Sequence, residues 1–305
     1  MGTEHRLRPF FLKIALSEKL RSSKRKLGLR TFRFQHALPP VYIAARMSSP
    51  INAIARNAFR EAVRDRILYN LVLFVLLLIA AAIFLGELSA GQDAKIIVDL
   101  GLSAMLLFGV FIAIFVGVGL VYKEIERRTL YAILSKPIGR GQFLLGKYLG
   151  LCLTLLVNVL IMGLGVSLAL IYVRRGWDPQ ALRIWPAIFL IYIELMIVTG
   201  VAMLFSAFST PALSALLTFF VFVIGHFSGD LKTLSHSMSS APARWVLAGL
   251  YYLLPNLANY NAITAAAHGQ TPAGRALLAA AGYGLAYIVV LLAATALVFN
   301  RRNLK

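Results

Sequence analysis

The chain has 305 residues, 59% hydrophobic and only 14% charged. Ordinary soluble domains carry about 25% charged residues, so the composition excludes one and points to a protein that crosses a membrane several times. A formal charge of +19 does not mark a nucleic-acid partner, because the bases alternate with long apolar runs instead of gathering on one polar face.

Residues 1–46 are rich in Arg and Lys, poor in acids, and lack the uninterrupted apolar core of a secretory signal. They are expected to be a disordered basic arm, or an upstream extension from an over-early start, with Met47 opening the pattern "MSSPINAIARNAFREAVRDRILYN". Over 47–67, apolar Ile51, Ile54, Ala55, Ala58, Phe59, Ala62 and Val63 recur at helical spacing. Arg56, Arg60, Arg64 and Arg66 lie mostly on the other arc. This pattern predicts an amphipathic helix lying in the membrane interface with its arginines towards lipid phosphates. The alternative is a cytoplasmic extension of the first spanning helix.

Crossing a hydrocarbon core about 30 Å thick takes about 20 apolar helical residues. Six stretches qualify, at 68–85, 100–122, 149–173, 186–208, 211–227 and 276–299, so residues 68–305 form the transmembrane domain of an all-α membrane protein. Between the fifth and sixth, an apolar segment of about ten residues ends at Pro255. It is too short to cross and predicts a re-entrant or interfacial helix anchored by Trp245, Tyr251 and Tyr252. Placing both termini in the cytoplasm puts all the basic residues inside except Lys95, Arg174, Arg175, Arg183, Lys232, Arg244 and Arg275, in line with the positive-inside bias.

Cys152, the single cysteine, excludes an intrachain disulfide, and the five histidines stand in no metal-binding spacing, so no metal ligand is expected. The stretch "GRGQFLLGKY", 139–148, nearly matches a phosphate-binding loop, with Gly141, Gly146 and Lys147 in register. Tyr148, however, stands where a magnesium-binding hydroxyl belongs, Phe143, Leu144 and Leu145 fill the turn, and nothing upstream resembles a strand. The stretch is expected to be the cytoplasmic end of the third helix, with Lys147 near the headgroups.

The preceding loop, "YKEIERRTLYAILSKPIGRGQFLLGKY", predicts a short helix. Glu124 and Arg128 are spaced to support it, Leu130, Ile133 and Leu134 form a small apolar face, and Pro137 with Gly139 ends it. Its Glu124-x-Glu126-x-x-Thr129-Leu130 signature, the later Leu134-Ser135-x-Pro137-Ile138-x-Arg140, and Leu145-Gly146-Lys147 resemble the permease subunits of type-2 ATP-binding-cassette (ABC) transporters. The similarity is nearest to the branch associated with maturation of multicopper enzymes such as nitrous oxide reductase, which "YYLLPNLANYN" at 251–261 also resembles.

The resemblance runs from about residue 51 to the carboxyl terminus. It implies a non-enzymatic permease of the bacterial cytoplasmic (inner) membrane that works with a second permease copy. A separate cassette ATPase would bind ATP and Mg, and this chain would bind no cofactor. The ATPase would dock on a coupling helix carrying Glu124, Glu126, Arg127, Arg128, Thr129, Leu130, Ile133, Leu134, Pro137 and Arg140.

Two further features stand apart from that loop. Gly101, Met105, Gly109, Ala113 and Gly117 form a mostly small stripe on the second span that permits close helix packing. Glu194 is the only carboxylate well inside a predicted span, which makes it a functional candidate unless a neighbour such as Asn158 or Thr199 satisfies it. It also carries the alternative of an intramembrane enzyme using Glu194 with His226 or His268; a non-transporting assembly factor is the third possibility.

Overall fold

The structure is a computed structural model. It describes residues 50–63, 92–126, 139–229 and 240–301, together with positions 73, 74, 77, 78, 80, 81, 84 and 233. The chain divides into two units, 1–47 and 48–305, and every described residue belongs to the second. The basic arm and most of the first predicted span, 68–85, lie outside the described residues.

Nine α-helices and one 3-10 turn, with no strand, make up the described residues. They are α1 (Pro50–Ala62), α2 (Asp93–Glu126), α3 (Arg140–Val173), α4 (Gln180–Arg183), α5 (Trp185–Ser206), α6 (Pro211–His226), α7 (Ala241–Leu253), the 3-10 turn Leu257–Tyr260, α8 (Ile263–Ala267) and α9 (Gly274–Arg301). The punctuation follows the sequence. Proline falls in the first turn of α5, α6 and α7, where its missing N–H costs nothing. The end of α3 is closed by Arg175 in the left-handed region (φ 53°), with the amide of Gly176 reaching back to the Ile171 carbonyl at 3.2 Å.

Sequence alone predicts six spans. Among the described residues four helices are long and apolar enough to cross a membrane: Asp93–Gly119, Gly141–Val173, Gln180–Ser206 and Gly274–Val298. The fifth predicted span forms α6, whose 16 residues extend about 24 Å, short of the hydrocarbon thickness. The segment before Pro255 forms α7, helical as expected, with Trp245 and Tyr252 exposed.

α5 is the centre of the bundle, and most of its residues are buried. Tyr148 and Tyr192 donate hydrogen bonds across the α3–α5 contact, to the carbonyls of Met196 at 3.1 Å and Cys152 at 3.2 Å, which fixes these helices as antiparallel. Against α2, Gly109 faces Leu195, and Gly117 faces Ala202, while Ser206 donates to the Val118 carbonyl at 3.1 Å; these pairs run parallel. Against α9, Gly284 faces Ile193 and Gly200 faces Leu291, again parallel. Thus α2, α5 and α9 begin at one end of the bundle, where α3 stops. At the other end α2 finishes at Glu126 and α3 starts at Arg140. The small stripe of α2 serves this packing: Gly101 lies against Val166 of α3, Gly109 and Gly117 against α5, and Met105 and Ala113 are buried with them.

The near-match to a phosphate loop is helix from Arg140 onward. Gly146 and Gly150 form a notch in α3 that receives α1. An added Cβ at Gly146 would stand 2.8 Å from Cβ of Ile54, and one at Gly150 would stand 2.5 Å from the Ala55 carbonyl oxygen. The apolar edge of α1 is therefore covered by protein, with Ala58 and Ala62 buried, while Arg56 and Arg60 remain exposed. Lys147, expected near the headgroups, is instead buried and pairs with Glu61 at 3.3 Å. An ammonium in that position needs a carboxylate close by, and α1 supplies it.

Candidate functional site

Two places on the bundle carry groups that packing alone does not require. The first is the end where α2 and α3 meet. Glu124 and Glu126 fall in the last turn of α2, and Arg140 is the first residue of α3. Arg127, Arg128, Thr129, Leu130, Ile133, Leu134 and Pro137 lie outside the described residues. Because α2 and α3 are antiparallel neighbours, with Gly101 against Val166, α2 finishes and α3 starts at the same end of the bundle.

The second is at the opposite half. Glu194, on the inner face of α5, is fully buried, and its Oε1 lies 3.2 Å from Nδ1 of His226, the last residue of α6. The expected alternatives do not form: Thr199 donates to the carbonyl of Leu195 at 2.8 Å, and Asn158 makes no bond to the carboxyl. His268 is exposed, with its Nδ1 2.7 Å from the Thr264 carbonyl oxygen, and so is not the partner. A carboxyl group at this depth is costly without a partner that can share its proton or charge, and an imidazole from the neighbouring helix does both. Oε2 of Glu194 has no hydrogen-bond partner among the described residues.

The segment after α7 holds His226 in place. Gly225, the preceding residue, admits the Pro255 carbonyl and the Leu257 side chain at distances that an added Cβ would close to 2.7 and 3.0 Å. Ser228 bonds Asn256 at 2.5 Å, the Asn256 amide donates to the Tyr283 hydroxyl at 3.0 Å, and Tyr260 donates to the Ala280 carbonyl at 2.9 Å. The stretch 251–261 is thus a tether between α6 and α9. Its last residue, Asn261, lines an open cavity with Asp99, Ser103, Phe222, His226 and Thr264. Sequence reading passed over Asp99, Ser103, Asn261 and Thr264. Asp99 had one available signal, since it is a carboxylate immediately before the predicted span 100–122; the others lie far apart in the chain and meet only in the fold.

A family model described as ABC-2 family transporter protein matches residues 52–304. The chain belongs to the ABC-2 transporter family. Two probable ABC transporter permease proteins called NosY are similar to it. That of Stutzerimonas stutzeri is 29% identical over 213 residues, covering 67% of this chain and 68% of the relative. That of Pseudomonas aeruginosa is 33% identical over 112 residues, covering 35% of this chain and 41% of the relative. The resemblance carried by the 124–147 motif is therefore upheld: this is a type-2 ABC permease near the NosY branch, a multi-pass membrane protein. The family match begins at residue 52.

Proposed function

We propose that this ABC permease forms the membrane pathway of an ATP-driven transporter and receives its driving force from a separate cassette ATPase docked on the segment 123–148. Six helices span the bacterial inner membrane in this reading: those at 68–85 and 211–227 complete the four long ones, and both termini lie in the cytoplasm. The chain works paired with a second permease copy, and ATP and Mg are bound by the partner ATPase.

The observation that carries the reading is the antiparallel α2–α3 pair, within a family-defined permease, whose shared end holds the Glu124–Arg140 segment. Each of these helices has 34 residues and runs about 51 Å, so a displacement at that end is transmitted across the bilayer by rigid bodies. Glu124, Glu126, Arg127, Arg128 and Arg140 supply charged contacts to the ATPase. Thr129 lies within the short helix that Pro137 ends, and Leu130 with Ile133 or Leu134 inserts into the ATPase surface. ATP binding shifts the permease between inward and outward states only through contacts that differ between them, so this segment binds nucleotide-loaded and empty ATPase with different affinity. In this reading Glu194 biases that equilibrium, which its hydrogen bond between α5 and α6 supports.

An intramembrane enzyme would require a nucleophile or metal beside Glu194 and His226. Cys152 lies instead on α3, where the Tyr192 hydroxyl bonds its carbonyl. The deciding experiment is a search for a cassette ATPase encoded beside this chain, followed by co-purification of the two. The wild type is expected to retain the ATPase and stimulate its hydrolysis, and the combined variant Glu124→Ala, Glu126→Ala, Leu130→Asp is expected to lose both. Persistence of the complex and its stimulated hydrolysis in that variant would overturn the docking assignment.

A further inference from the structure

The cavity beside His226 has a volume of about 430 Å³, within the range of about 300–1,000 Å³ typical of small-molecule sites. It lies towards the end of the bundle where α2 begins, away from the end where α2 finishes. Leu106, Leu107 and Ile263 give it an apolar side and Phe222 an aromatic one, its ring 5.5 Å from the His226 ring. The polar groups converge from separate elements: Asp99 and Ser103 from α2, His226 from α6, Asn261 and Thr264 from the tethered segment.

The sign of the charge selects the ligand. Among the described residues Asp99 is the only carboxylate that lines the cavity. Among the described residues no lysine or arginine lines it, although the chain carries a formal charge of +19. That single carboxylate attracts a cation in preference to an anion. A bare metal ion fits poorly: the space is far larger than an ion, and no group of three or more His, Cys, Asp or Glu could hold one among the described residues.

We propose that this cavity binds a small organic ammonium ion. Asp99 pairs with the ammonium, the hydroxyls of Ser103 and Thr264 and the Asn261 amide oxygen accept its N–H bonds, and Phe222 with the leucines covers the organic part. The inference rests on the cavity and its charge alone. It goes beyond the docking of an ATPase, and either can fail without the other.

The test uses the purified full chain in lipid nanodiscs and three probes of similar size and different charge: benzylamine, benzyl alcohol and benzoate. Calorimetric titration near neutral pH is expected to show benzylamine binding about tenfold tighter than either of the others. Asp99→Asn, at an exposed position that does not threaten folding, is expected to abolish that preference, and Thr264→Val to weaken benzylamine binding while keeping the order of the probes. Equal binding of the three probes, no binding by any, or a preference that survives in Asp99→Asn would overturn the proposal. Nanodiscs with and without phosphatidylethanolamine then identify the source of the ammonium: displacement of benzylamine indicates a lipid headgroup, and unchanged binding a free amine.

Discussion

A carboxyl group on the inner face of α5 must be satisfied by protein, because the residues packed around Glu194 leave it no exposed surface. His226 bonds one of its two oxygens from a different helix, so the pair joins α5 to α6. This separates two substitutions at one position. Glu194→Gln keeps the volume and a hydrogen-bonding oxygen for Nδ1, and is expected to cost at most about 1 kcal/mol. Glu194→Ala leaves the imidazole without its partner and opens a void, and is expected to cost about 2–4 kcal/mol. Thermal unfolding of the purified permease measures both, and equal midpoints for the two variants would show that the pair does not hold the helices together. The sequence revealed Glu194 because a lone carboxylate in an apolar run is conspicuous. It left the partner open between residues on four segments, since helix rotation and packing decide which side chain arrives.

At the scale of elements, glycine has two meanings in this chain, and only the surroundings tell them apart. Gly146 and Gly150 are separated by four positions and let α1 lie directly on the α3 backbone. Gly141 and Gly282 face open space. Gly150→Ala is therefore expected to push α1 away, destabilising the fold by about 1–3 kcal/mol and raising amide exchange across Pro50–Ala62. Gly141→Ala and Gly282→Ala are expected to be neutral or to stabilise by up to about 1 kcal/mol through improved helix propensity. If all three behave alike, the α1–α3 contact is not what fixes α1. The "GRGQFLLGKY" stretch shows why spacing alone misleads: Gly146, which with Gly141 suggests a phosphate loop, packs with Gly150 against α1, while Gly141 faces open space. The aromatic run at 251–261 divides the same way. That α7 stops before Pro255 is visible in the sequence, whereas the hydroxyls of Tyr260 and Tyr283 find their partners only through the position of α9.

For the whole molecule, helix direction assigns the two ends different work. The α2–α3 segment that would meet an ATPase leaves one end, and the cavity and the aromatic α7 lie towards the other. With Cys152 buried, introduced cysteines can be labelled against little background. Trp177→Cys and Tyr252→Cys, both at strongly exposed positions, are expected to react with a membrane-impermeant maleimide on intact cells; Gly141→Cys is expected to react only after permeabilisation. The reverse pattern would invert the orientation and remove the 123–148 segment from reach of a cytoplasmic ATPase.

Sequence by itself determined the helical class, the approximate position of the long apolar helices, the family motif at 124–147 and the isolation of Glu194. These depend on hydrophobic runs, breakers and local spacing, which are properties of neighbouring residues. Tertiary structure decided that α1 seats in an α3 notch, that Lys147 pairs with Glu61, that His226 meets Glu194, and that Asp99, Asn261 and Thr264 share one cavity. Each of these joins residues far apart in the chain, and their meeting follows from the direction and rotation of whole helices, which hydropathy and local spacing do not specify.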